Sequence, residues 1–178
     1  RVRGTHMTDS MTPPPMSYGG YYQTVVLTDD QELTRTGPGT PCGEYMRRFW
    51  WPVAMVEQVT DLPLLIKVLG EELVLFRDLS GRLGLLHKHC SHRRASLEYG
   101  IPAEHGLRCC YHGWLFDIDG RVLEVPGEPE NSTIPERVCH GAYPVIEHNG
   151  LVFAYMGPPE QKPPFLHLDT MSIADHDM

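Results

Sequence analysis

CSHRRASLEYGIPAEHGLRCCYHGW, residues 90 to 114, holds three of the chain's five cysteines and three of its ten histidines. Cys90 and His92 have one residue between them, Cys109 and His112 have two, and sixteen separate the pairs. Thiolate and imidazole both bind transition metals well, so two such pairs on two loops make a candidate metal centre. Zinc also takes two cysteines and two histidines, but a zinc finger orders them C-x(2-4)-C and then H-x(3-5)-H. Here each loop supplies one of each. The mixed order suits a centre of two irons seen side-on, each loop placing its cysteine on one iron and its histidine on the other. A structural zinc module stands as the rival reading.

The rest of the chain bounds what surrounds that centre. At 178 residues, 41% hydrophobic and 21% charged, it is long enough for one domain with a real core plus tails. The longest apolar stretch, LPLLIKVLG, is broken by Pro63 and Lys67 and falls far short of the roughly 20 residues of a membrane helix, so no membrane partner is expected. A net charge of -8 argues against nucleic acid, whose binding depends on Lys and Arg neutralising phosphates. The opening RVRGTHM is polar, lacks the apolar core of a secretion signal and reads as an expression-vector remnant, which points to the cytoplasm. An odd cysteine count with three crowded together suits a reducing compartment and metal ligation better than a disulfide framework. Cys42 and Cys139 read as small buried thiols.

Along the chain, residues 1–27 read as tag remnant and flexible leader, with three consecutive prolines and a Gly pair. Residues 28–50 supply two lead-in helices. Thr28 to Gln31 has capping-box spacing and Gly37 ends the first; Thr40 caps the second, with Pro41 at its first position. From Trp51 short apolar runs alternate with turns, the pattern of an antiparallel β domain over 51–157. The expected strands are WPVAMV (51–56), LLIKVL (64–69), ELVLFR (72–77), LGLLH (83–87), GWLFDI, RVLEV, GAYPVIE and LVFAYM. The last two are joined by a hairpin through His148-Asn149-Gly150. Pro158, Pro159, Pro163 and Pro164 end the sheet, and 158–178 read as an exit tail.

Cys90-Ser-His92-Arg93 followed by Cys109-x-Tyr-His112-Gly113-Trp114 resembles the Rieske motif, C-x-H-x16-C-x-x-H. GPGTPCGEYMRRFWWPV, LGEELVLFRD, YHGWLFDIDGRVLEVPGEP and GLVFAYMGP extend the likeness over roughly 28–160 to the N-terminal part of phthalate-type aromatic-ring-hydroxylating oxygenases. The resemblance implies a mainly β fold, a Rieske-type antiparallel β sandwich with two cluster-binding loops and short N-terminal helices. It implies a 2Fe-2S cluster with Cys90 and Cys109 on one iron and His92 and His112 on the other. Adjacent side chains of an extended segment point to opposite sides, and by the family spacing Cys109, not Cys110, is the ligand. His87, His89 and His105 are then solvated or hydrogen-bonded bystanders.

Such a cluster with two ferric ions, two sulfides and two thiolates is neutral, whereas four thiolates leave it doubly negative. An electron joins a neutral centre more readily, in keeping with Rieske potentials of about -150 to +300 mV against about -400 mV for plant-type ferredoxins. The histidine side is the expected electron exit. Gly113 permits close backbone approach, Trp114 packs at the start of the next strand, and Val125-Pro126-Gly127-Glu128-Pro129 resembles the proline loop that covers the cluster in this family. Arg93 and Arg94 either orient an acidic partner or balance Glu98 and Glu104.

The same resemblance implies electron transfer from a reductase or ferredoxin to a mononuclear Fe(II) in a catalytic domain of the same or a neighbouring subunit, in a homotrimer at full length. His167, Asp169, Asp175, His176 and Asp177 do not reproduce the two histidines and carboxylate of such an iron site. The expectation is therefore an oxidoreductase fragment whose mononuclear iron lies in an absent domain, and which activates no oxygen alone. The substrate by analogy is an aromatic carboxylate or aryl ether. A stand-alone Rieske ferredoxin is the alternative.

Overall fold

The computed structural model describes residues 29–167. The chain divides into two units, Arg1–Asp30 and Gln31–Met178, and the architecture below is that of the second. The expected leader, the Thr28 cap and the residues from Asp169 to Asp177 lie outside the described residues.

Two short helices lead in. α1 (Gln31–Thr34) is a single turn. α2 (Pro41–Met46) starts as its sequence dictates: Thr40 is extended, its hydroxyl accepts from the Gly43 N–H at 3.2 Å, and Pro41 fills the first turn, where a missing N–H is harmless.

Eleven strands among the described residues form three antiparallel sheets. β1 (Trp50–Met55), β10 (Val145–His148) and β11 (Leu151–Tyr155) make one, with β11 central. β2 (Leu64–Val68), β3 (Glu71–Arg77), β4 (Leu83–His87) and β9 (Ala142–Tyr143) make the second in that order. β5 (Ile101–Ala103), β6 (Gly106–Arg108), β7 (Leu115–Phe116) and β8 (Val122–Glu124) make the third, a meander of neighbours. The mainly β, antiparallel expectation holds.

β3 explains how the layers stack. Side chains alternate across a strand, and here Leu73 and Leu75 enter a core with Leu85, Val152, Ala154 and Met156, while Val74 and Phe76 enter another with Leu86, Leu97, Leu107, Trp114 and Phe116. A strand buried on both faces needs an apolar residue at nearly every position, which LVLF provides. The second core contains Cys90 and Cys109, so the candidate metal centre forms one wall of packed interior.

Three local expectations change. GAYPVIE is not one strand: Pro144 has no N–H to continue a ladder, so β9 stays with β4 while β10 crosses to pair with β11. The stretch 101–108 forms the β5–β6 hairpin, and α3 (Ile134–Arg137) lies between β8 and β9; neither follows from the alternation read above. Cys139 is exposed rather than buried, because the next residue, His140, takes the inward position; Cys42 is half-buried. The Asn149-Gly150 turn is as expected, with both φ angles positive and His148 opposite Leu151.

Candidate metal centre

Two loops at one edge of the second core share a backbone frame. In the first, the Cys90 N–H donates to the Ala95 carbonyl at 2.9 Å and the Arg94 N–H to the Cys90 carbonyl at 2.9 Å. In the second, Cys109 N–H donates to Trp114 at 2.8 Å and Gly113 N–H to Cys109 at 3.0 Å. The fifth residue of each loop is left-handed, with φ 65° at Arg94 and 74° at Gly113. Only glycine takes that conformation freely, so Gly113 is explained by its backbone and Arg94 carries strain. A Cβ at position 113 would also lie 3.3 Å from Pro126, which places the expected proline loop against the second ligand loop.

The frames bring the four candidate donors into two pairs. Cys90 and Cys109 are 1% and 3% exposed, and their thiols neighbour one another. Burial pushes the Cys90 thiol up to about 11, the N–H groups of His92 and Arg93 pull the other way, and the Cys109 thiol adds to the rise. His92 and His112 rings lie 4.6 Å apart at 62°. His92 stacks on Trp114 at 4.7 Å and 3°, and Tyr111 lies over His112 at 3.7 Å. Desolvation first, then His92 and Arg93, lower the His112 pKa. Trp114 precedes strand β7 rather than beginning it, and is both core and platform for an imidazole.

The donor chemistry fits a 2Fe-2S group. Nδ1 of His92 is buried with no hydrogen-bond partner, a costly state for a polar atom and the proper one for a metal-facing nitrogen. Among the described residues no three His, Cys, Asp or Glu side chains gather for a single ion. Sulfurs pair with sulfurs and imidazoles with imidazoles, whereas zinc draws four donors to one point.

The bystanders are placed as expected. Cys110 and His105 are exposed. His87 meets Glu71 at 3.1 Å, and His89 Nδ1 donates to the Arg94 carbonyl at 3.1 Å. Two contributors were not legible. Arg108 donates to the Gly113 carbonyl at 2.9 Å while paired with Glu124 at 2.8 Å. His140 binds Ser91, the residue between Cys90 and His92, at 2.7 Å; Ser91 as the middle of C-x-H was a signal, but nothing pointed from it to a histidine so distant in sequence.

Residues 49–144 match the family described as Rieske [2Fe-2S] domain. The chain belongs to that family, and a 2Fe-2S cluster is the cofactor that membership implies. It is 56% identical over 153 residues to the tert-butanol monooxygenase / tert-amyl alcohol desaturase oxygenase subunit of Aquincola tertiaricarbonis, covering 84% of this chain and 32% of that one. It is 43% identical over 146 residues to the phthalate 4,5-dioxygenase oxygenase subunit of Pseudomonas putida, covering 79% and 33%. A solved complex of carbazole 1,9a-dioxygenase, oxygenase with ferredoxin, aligns with TM-score 0.57 and 31% identity over 66% of this chain and 31% of that chain. The chain thus spans about a third of the relatives it matches and is homologous to part of oxygenase subunits of the phthalate-dioxygenase type. No helix among the described residues is long and apolar enough to cross a membrane.

Proposed function

We propose that Cys90 and Cys109 hold one iron and His92 and His112 the other, and that this domain passes single electrons from a reductase or ferredoxin to a mononuclear iron in a catalytic domain of the same or a neighbouring subunit. The observation that carries the reading is the sorting of donors, thiols walled into the core and imidazoles toward the surface. When bound, the cluster supplies one-electron redox chemistry at a potential raised by its two neutral ligands.

This chain's residues do the rest. The core around Cys90 and Cys109 excludes water from the sulfur side. Trp114 fixes the plane of His92, and exposed Tyr111 flanks His112, so the imidazole edges form the face open to a partner. The reading places this domain in an oxygenase rather than a stand-alone carrier because its relatives are oxygenase subunits of which it matches about a third. The relatives act on tert-butanol and tert-amyl alcohol in one case and on phthalate in the other, so the substrate is set outside this domain, by the catalytic domain to which it delivers electrons.

Iron, acid-labile sulfide and zinc analysis with electron paramagnetic resonance of the dithionite-reduced protein tests the reading. Equal iron and sulfide, with nitrogen couplings from two imidazoles, is the expected result. A colourless protein with stoichiometric zinc and no resonance refutes it.

A further inference from the structure

His140 reaches the first ligand loop from behind. It is 3% exposed; its Nε2 lies 2.8 Å from the His87 carbonyl oxygen and its Nδ1 2.7 Å from Ser91 Oγ. A carbonyl only accepts, so Nε2 carries the proton. Burial lowers the imidazole's pKa and favours the neutral ring, which makes Nδ1 an acceptor. The Ser91 hydroxyl therefore donates to Nδ1, and one carbonyl sets the direction of both hydrogen bonds.

The ring sits in a tight slot. The His140 N–H donates to the Gly120 carbonyl at 2.7 Å, and the His140 carbonyl leaves no room for a Cβ on Gly120. A Cβ on Gly141 would meet the His87 ring at 2.5 Å, and Phe116 lies 4.7 Å from the His140 ring. The imidazole is thus held by the core, while Ser91, largely at the surface, turns its hydroxyl inward to meet it.

We infer that His140 is a positioning residue for the first ligand loop: through the Ser91 hydroxyl it orients the backbone between Cys90 and His92 and keeps that hydroxyl's proton away from the sulfur side of the centre. The inference deepens the Rieske reading and rests on it. Hydrogen bonds to sulfur are one lever on an iron-sulfur potential. A serine beside a ligating cysteine is a ready donor, and committing its proton to Nδ1 removes it. The corresponding place in the second loop is Cys110, an exposed thiol, so the arrangement belongs to the first loop.

The test uses the cluster-loaded chain, with potentiometry and electron paramagnetic resonance on wild type, His140→Leu, Ser91→Ala, Ser91→Thr and the double variant His140→Leu/Ser91→Ala. His140→Leu raises the midpoint potential at unchanged iron content by freeing the hydroxyl. On the Ser91→Ala background the same change has no further effect, because the two residues act as one unit. Ser91→Ala shifts and broadens the resonance; Ser91→Thr, which keeps a hydroxyl, restores it. Ser91→Ala removes one hydroxyl and leaves the His140 ring in its slot, so it reads out even where His140→Leu does not fold. Equal shifts from His140→Leu in both backgrounds, or potential and resonance unchanged in Ser91→Ala, overturn the inference and leave the Rieske reading standing. An iron-free wild type overturns both.

Discussion

The two ligand loops share a hydrogen-bond frame and differ in what holds it. The first is tied from inside by Ser91 to buried His140, with an exposed bond from His89 to the Arg94 carbonyl beside it. The second is tied from outside, by Arg108 to the Gly113 carbonyl and by Pro126 against Gly113. The first closes on Ala95 and turns through a strained Arg94; the second closes on Trp114 and turns through glycine. A common backbone frame thus leaves room for two different histidine spacings, provided each loop finds its own support.

The largest expected effect treats the loops alike. Cys90→Ser and Cys109→Ser should each abolish iron binding and loosen both loops, since the metal contributes folding free energy that bare loops lack; metal analysis and hydrogen exchange across 90–114 check this, and a variant with normal iron reassigns that ligand. Trp114→Ala makes the second loop close on the residue the first already uses. It removes a core side chain and the platform of His92, and should cost about 3–5 kcal/mol in denaturant unfolding. Gly113→Ala gives the second loop the strain of the first. A left-handed non-glycine costs about 1–2 kcal/mol, and contact with Pro126 adds to it, so a loss of that order is expected in thermal unfolding.

Arg94→Gly is the converse. Relief of strain, less the entropy that glycine brings to the unfolded chain, should stabilise by about 0.5–1 kcal/mol; a loss instead would show that the Arg94 side chain supports the loop. Smallest is Cys110→Ser, expected to leave iron content unchanged and stability within about 0.5 kcal/mol, as for an exposed residue. Loss of iron there would exchange it for Cys109 as ligand.

What could be read from the chain was what neighbours in sequence decide. The C-x-H and C-x-x-H spacings, the Thr40 cap with Pro41, strand β4 and the Asn149-Gly150 hairpin are all settled within a few residues. Their physics is a dihedral angle, a cap or an alternation. What escaped depends on chain that is far away. Pro144 marks a break, but only the partners β4 and β11 reveal that the strand changes sheets. Cys139 looks like any small apolar residue until His140 claims the inward position. The β5–β6 pair is three residues a side, too short for alternation to register, and exists because β7 lies beside it.

The order β1-β11-β10 carries a consequence for assembly. β1 pairs with β11, Trp50 opposite Tyr155 and Met55 opposite Leu151, so among the described residues the first strand waits for the last. The β5–β8 meander and both ligand loops close among near neighbours, which is the faster kind of closure. During synthesis from the N-terminus, the thiols and imidazoles are translated and able to meet before β1 acquires the strand that pairs with it. Closure of the two loops and completion of the β1-β11-β10 sheet are then separable in the order of synthesis, the loop segments being made first.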